Sequence, residues 1–276
     1  HRDLHSFPTR RSSDLIFENV ITYTGIFIFK KASIHEYRFN YKRFNSGDKI
    51  DVFDNLHFES LPSHLTSIST WYFNNEANNI LSIIKENSEP LEKCVSGIYQ
   101  GIATGKDSVF IIDEQVINQN KIERNILHKI LKGKDISPYT INWSNKYLIY
   151  PYDNDGNVIP EKDLKDKFPN AYEYLISQKN ELKGRSYFDK SKKFWYELWN
   201  QRNLKRFYQS KIITLDTAGK NSFAYDEGIY IGTTTVYSLI PSKKINTKAL
   251  LAILNSKVLT YYHKKNTIPQ AGGYYR

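Results

Sequence analysis

The residues best equipped for chemistry sit in one stretch, GIYQGIATGKDSVFII, residues 97–112. Thr104 and Lys106 lie among Gly97, Gly101 and Gly105, and the stretch then reads as an apolar strand over 108–112. Glycine lets the backbone turn tightly and approach a ligand closely, and a lysine beside it selects an anion. A nucleotide-binding P-loop needs Gly-x4-Gly-Lys-Ser/Thr. Here Gln100 stands five before Gly105, and Asp107 follows Lys106. Thr104 and Lys106 are therefore candidates for contact with a phosphate or a base edge rather than for a nucleotide cradle. The same glycines equally serve a strand-connecting turn.

A second concentration lies between 179 and 211, with ten basic side chains against three acidic ones. Tyr187, Phe188, Phe194, Trp195, Tyr196, Trp199, Phe207 and Tyr208 interleave with them. Basic side chains supply phosphate contacts, arginine reads guanine through a bidentate pair, and aromatics stack on exposed bases or form the core beneath. Lys192, Lys193, Arg202, Lys205 and Arg206 read as phosphate clamps, and Lys190 in the same block is a further DNA-binding candidate. Arg185, after Gly184, is either a bidentate base reader or a helix-terminal cation favoured by the dipole. Trp195 and Trp199 read as core. A smaller basic spot, Lys129, Lys132 and Lys134 around Gly133, is a candidate for the same groove as Lys106. Thr233, Thr234 and Thr235 follow Gly232 at a strand edge. Threonine bonds to bases or touches the thymine methyl, and it is also simply a good strand residue.

Composition narrows the partners. Of 276 residues, 40% are hydrophobic and 14% aromatic, enough for one or two cores. A net charge of +10 and a pI near 9.3 favour polyanions, nucleic acid before anionic membrane. No run reaches the roughly 18 apolar residues of a membrane span. Cys94 is the single cysteine. It excludes an intramolecular disulfide and a multi-thiolate metal site, and it fits a reducing, cytoplasmic setting. The seven histidines show neither HExxH nor His-x3-His spacing, so no metal site is expected.

Along the chain, residues 16–31 read as strands and Asn45–Asp48 as a turn. A helix is expected over 76–86, strands over 94–99 and 108–112, and a helix over 123–133 capped by Gly133. A strand comes next at 146–152 with a turn at Asp153–Gly156, then a helix at 170–184. Residues 211–240 hold three or four short strands with a hairpin turn at Asp226–Gly228, and 245–265 reads as one docked helix. The mixture of strand runs and separate helices predicts an α+β fold.

The opening residues 1–14 share no pattern with the rest of the chain and read as a non-native, adapter-like segment. The chain contains no methionine. Together with its abrupt ends, this makes the expectation a piece of a longer protein.

Taken in order, GIYQGIATGKDSVFII (97–112), ILKGKDISPYTI with YLIYPY (130–152), LKGRSYF and WYEL (182–198), KIITLD (211–216) and LLAILNSKVLTYYHK…GGYYR (250–276) resemble the TaqI-like C-terminal specificity domain. This is the target-recognition domain of adenine-specific DNA methyltransferases and type IIG restriction-modification enzymes. The resemblance covers roughly 71–276, and Asn255-Ser-Lys inside an apolar helix is its most diagnostic part. Residues 15–60 then correspond to the end of a methyltransferase domain and a connector. The resemblance implies a double-stranded DNA partner, read in the major groove beside an upstream methyltransferase domain. That domain holds S-adenosylmethionine and an adenine flipped out of the stack. No cofactor is expected in this stretch itself, no two prolines are adjacent as the family's catalytic tetrapeptide requires, and Glu181-Leu-Lys183 matches only the tail of a nuclease signature. A monomer is the simpler expectation. The alternative is a stand-alone single-strand or RNA-binding module.

Overall fold

The structure is a computed structural model, and it describes residues 5–10, 22–28, 37–42, 57–63, 75–185, 188, 191–267, 269–270 and 274–275. The expected turn at 45–48, the strand positions 16–21 and 29–31, and Lys190 lie outside the described residues. The chain divides into two compact units, His1–Glu89 with Tyr261–Arg276, and Pro90–Thr260.

In the first unit β1 (His5–Arg10) pairs antiparallel with β2 (Thr22–Phe27), and β3 (Arg38–Tyr41) with β4 (Glu59–Pro62). β1 falls within the segment that the sequence sets apart. A cross-strand bond fixes the second pair, with Arg38 Nε donating to Ser60 Oγ at 3.0 Å. α1 (Asn75–Glu86) occupies the expected helix.

The second unit runs α2 (Leu91–Cys94), β5 (Val95–Gln100), α3 (Asp107–Phe110), β6 (Ile111–Asp113), α4 (Glu114–Asn120), β7 (Leu127–Leu131), β8 (Ile136–Ser137), β9 (Thr140–Ile141) and β10 (Lys146–Ile149). It continues with α5 (Glu161–Lys167), α6 (Pro169–Ser177), α7 (Lys179–Lys183), β11 (Lys211–Leu215), β12 (Phe223–Asp226), β13 (Ile231–Gly232), β14 (Val236–Pro241) and α8 (Thr247–Leu254). α9 (Lys257–Asn266) crosses the division, and β15 (Pro269–Gln270) with β16 (Tyr274–Tyr275) returns to the first unit. Two four-stranded sheets form, in the orders β13-β7-β10-β6 and β12-β11-β14-β5. All pairings in them are antiparallel except β13 with β7. The fold is α+β, as expected.

Each sheet has its own apolar partner. Phe110, Ile117, Ile130, Leu148, Leu164, Leu175 and Leu182 bury together, joining β7 and β10 to α4 through α7. On the other sheet Ile212 and Leu239 meet Leu250, Leu251 and Leu254 of α8. Burying one such side chain contributes roughly 1.5–3 kcal/mol. A third, smaller cluster holds Leu131, Ile136, Ile213, Ala224 and Val236.

Several local expectations change. The helix expected over 123–133 is the central strand β7, and Gly133 opens a 3-10 turn, Gly133–Asp135, instead of capping a helix. Ile130 and Leu131 are adjacent yet enter different clusters. Successive strand residues point to opposite faces, so a strand covered on both sides buries neighbours and mimics helical spacing. The strand expected at 108–112 begins as the single turn α3, and the helix at 170–184 divides at Gln178 into α6 and α7. Glu123 closes the start of α6 from outside, accepting from Asn170 N and Ala171 N at 2.9 Å each. The helix over 245–265 breaks at Asn255 into α8 and α9. Asp226–Gly228 is not a hairpin turn, because β12 pairs with β11 and the chain then leaves for β13 in the other sheet. Cys94 closes α2 half-buried rather than starting a strand. Among the described residues no helix is long and apolar enough to cross a membrane.

Candidate nucleic-acid interface

The glycine loop is built from its backbone outward. Gly101 N donates to Val236 O at 3.0 Å and Ile102 N to Gly232 O at 2.8 Å. A Cβ on Gly101 would stand 2.1 Å from Gly232 O and 2.3 Å from Thr233 O, so only glycine lets these chains meet. Gly105 turns the loop at φ +77, in the left-handed region. Gly101 thus serves chain packing. Thr104 is turned inward, 2% exposed. Its hydroxyl donates to Asp107 Oδ1 at 2.5 Å and accepts from Lys106 N at 3.1 Å. This placement removes Thr104 from direct ligand contact and makes it the organiser of the loop.

Lys132 of the Gly133 spot lies beside the loop that carries Lys106. Asp107 Oδ2 pairs with Lys132 Nζ at 3.1 Å, and Lys106 Nζ pairs with Glu181 of α7 at 3.0 Å. Lys134 is exposed on the Gly133–Asp135 turn, which the Asp135 carboxylate closes by accepting from Lys132 N at 2.8 Å. Lys129 instead turns its ammonium to the Trp143 ring, 4.7 Å from the centroid. The threonines complete the neighbourhood. Gly133 N donates to Thr235 Oγ1 at 3.3 Å, and Gln100 Nε2 donates to Thr234 O at 2.9 Å. Thr233 is buried with its hydroxyl 3.0 Å from that of Thr235, so Thr234 and the exposed Thr235 are the members that reach the surface. Half-exposed ion pairs of this kind are worth about 0–1 kcal/mol, so a stronger anion exchanges for Asp107 or Glu181 at little cost.

The block from 179 to 211 does not form one surface. Arg185 is 5% exposed. Its Nε donates to Leu182 O at 2.7 Å, Nη1 to Glu197 O at 3.0 Å and Nη2 to Trp195 O at 2.7 Å, and its guanidinium lies 3.4 Å from the Phe188 ring centroid. Arg185 therefore clasps the chain, and the base-reader expectation gives way to this structural placement. Lys211 is likewise fully buried, paired with Asp226 and donating to Phe207 O. Burial pushes its ammonium below the ordinary lysine range, while Asp226 pulls the other way. Lys193 pairs with Glu197 at 3.6 Å and Lys205 with Asp155 at 2.8 Å. Lys192 is exposed. Arg202 and Arg206 line a pocket beside β5 with Ile98, Tyr99 and Gln100.

Trp195 agrees with a core placement, packing on the main cluster with its indole N–H on Glu161 at 3.1 Å. Trp199 does not, being 41% exposed while its backbone N donates to Thr104 O at 3.2 Å beside the loop. Sequence reasoning missed Asp107 and Glu181 as the counter-charges of the loop, although Asp107 directly follows Lys106. The diagnostic Asn255 is no surface reader either. Its Oδ1 accepts from Phe223 N and its Nδ2 donates to Phe223 O, both at 2.9 Å, so the amide completes the edge of β12 as a strand residue would.

Comparison with known proteins places this architecture. The chain is 29% identical over 162 residues to the type II methyltransferase M.BstVI of Geobacillus stearothermophilus, covering 59% of this chain and 28% of that protein. It is 30% identical over 200 residues to M.BanIII of Aneurinibacillus aneurinilyticus, covering 68% and 33%. With M.XhoI of Xanthomonas vasicola the identity is 25% over 198 residues, covering 70% and 34%. The chain thus spans about a third of the length of these curated relatives. A solved structure of the type IIL restriction-modification enzyme MmeI in complex with DNA shares the fold, at TM-score 0.54 and 10% identity over 98% of this chain and 33% of that one. The model of the TaqI-like C-terminal specificity domain matches residues 128–276, more than half of the chain, and the chain belongs to that family.

Proposed function

We propose that this chain reads duplex DNA for a site-specific adenine methyltransferase, placing the target so that a catalytic domain methylates a flipped adenine. The observation that carries the reading is the convergence of three segments, 101–107, 132–135 and 232–235, which gathers Lys106, Lys132, Lys134, Thr234 and Thr235 in one neighbourhood. Lysines there suit phosphate and guanine edges, and threonine suits bases and the thymine methyl. Family membership supports the same reading, and the relatives are type II methyltransferases. S-adenosylmethionine belongs to the catalytic domain of such a protein. The glycines of this loop serve close chain packing at Gly101 and a turn at Gly105, and no chemical step is assigned to this chain.

Exposed Phe194 and Trp199 support a second reading, stacking on unpaired bases. Fluorescence anisotropy with labelled duplex, single-stranded DNA and RNA in competition separates the two. The first reading expects duplex preference and a steep salt dependence, with log K falling by about 0.9 per phosphate contact for each unit of log salt. Preference for single strands, or binding indifferent to salt, would overturn it.

A further inference from the structure

A pocket of about 190 Å³ opens beside β5, lined by Ile98, Tyr99, Gln100, Arg202, Arg206 and Phe207. Two segments bound it. Ala103 and Asn200 exchange backbone bonds of 3.2 and 2.9 Å, and beyond this bridge the chains part around the pocket. Its lining holds two arginines and no carboxylate. Among the described residues neither arginine is in an ion pair, whereas Lys106, Lys132, Lys193 and Lys205 all are.

The walls are prepared. The Arg206 guanidinium lies 4.8 Å from the Tyr99 ring centroid. That ring lies across Gly97, where a Cβ would stand 2.4 Å from the Tyr99 hydroxyl and 2.6 Å from ring carbon Cζ. Gly97 is thus the space in which the platform for Arg206 is seated. Arg202 is held at its backbone, its carbonyl accepting from the Tyr150 hydroxyl at 2.8 Å, while its Nε is buried with no hydrogen-bond partner. On the far wall, the Phe207 carbonyl is fixed by buried Lys211.

The planar guanidinium fork matches phosphate oxygens, and a stacked, pre-oriented arginine loses less freedom on binding. We propose that this pocket takes one phosphodiester group of the DNA backbone. The Arg202 and Arg206 guanidinium groups bind its oxygens, Tyr99 orients Arg206, and Gly97 acts as a positioning residue. The site rests on the duplex-reading function above, but it has a different task. It fixes the register of the duplex, while the glycine-loop face reads bases.

The test measures affinity against salt for the chain and for Arg202→Gln, Arg206→Gln, Arg206→Lys and Gly97→Ala, on two unrelated duplexes, with thermal melting to confirm folding. Each glutamine variant is expected to weaken both duplexes equally, by about tenfold, and to shorten the salt slope by about 0.9. Arg206→Lys is expected to keep the slope and lose affinity. Gly97→Ala is expected to weaken binding although no charge is removed. Should Arg202→Gln fail to fold, Arg206→Gln carries the same expectation. If the unaltered chain binds duplex with a steep slope and the variants match it, the pocket proposal falls and the duplex reading stands. If the unaltered chain binds no duplex, both fall. Inorganic phosphate added as a competitor is expected to displace duplex only weakly. Saturation of the Arg206 Nε–H signal by inorganic phosphate, unchanged when duplex is added, would mark a free-phosphate site and overturn the DNA assignment.

Discussion

The basic side chains of the Pro90–Thr260 unit differ in what already neutralises them. Lys211 is held by Asp226 inside the protein, Arg185 by carbonyls, Lys106 and Lys132 by half-exposed carboxylates, and, among the described residues, Arg202 and Arg206 by no ion pair. Arg185→Ala leaves the carbonyls of Leu182, Trp195 and Glu197 without their donors, and each buried orphan costs about 1–3 kcal/mol. Urea denaturation is expected to show a loss of about 3 kcal/mol or more, while discrimination among duplexes by the folded fraction stays unchanged. A loss of discrimination without a loss of stability would return Arg185 to the reader set. His128 gives a pH signature. It shares a hydrogen bond with the Tyr208 hydroxyl and sits edge-on to Tyr150 at 5.4 Å. Burial pushes its imidazole down to about 4. The unfolded imidazole takes up its proton near pH 6.5, so between those values the unfolded chain binds more protons and stability falls as the pH is lowered. Denaturant midpoints measured between pH 7 and 4 are expected to fall through this window, and His128→Asn to flatten that part of the curve. A midpoint that rises as the pH falls toward 4 would contradict the neutral assignment.

At the scale of elements, Asn255 separates what a sequence states from what it hides. The apolar stripe over 245–265 is legible, and its leucines do enter a core. The break is not, because Asn255 gives up the helix to bond both backbone groups of Phe223, and Ser256 Oγ accepts from Leu259 N at 3.1 Å to start α9. Asn255→Ala strips two bonds from the edge of β12 and is expected to cost about 2 kcal/mol, read by thermal or urea melting. A cost near zero would mean that α8 docks by its leucines alone. β7 was illegible for a related reason. Its burial on both faces reproduces helical spacing, and only the partners that form β10 and β13 decide the matter. The glycine loop was legible in place but not in direction. Spacing locates Thr104, but only the meeting with Gly232 shows its hydroxyl turned inward. Tyr99 left one trace in the sequence, a glycine two residues earlier on the same strand face.

Over the whole molecule, the charge of +10 overstates what is available to a partner. Seven ion pairs among the described residues tie lysine or arginine to an acid within the Pro90–Thr260 unit alone, besides the pair of Lys167 with Asp163. Sequence composition counts such charges equally, and the fold sorts them into clasps, exchangeable pairs and guanidinium groups that, among the described residues, are in no ion pair. What remains is the glycine-loop face and the arginine pocket. The measurement that tests this division most directly is selection of bound duplexes from a random pool by the unaltered chain and by Lys132→Ala. The unaltered chain is expected to enrich a defined motif, and Lys132→Ala to relax it at one position while the rest persists. Enrichment of no motif, or an unchanged motif with the lysine gone, would contradict base reading by the glycine-loop face.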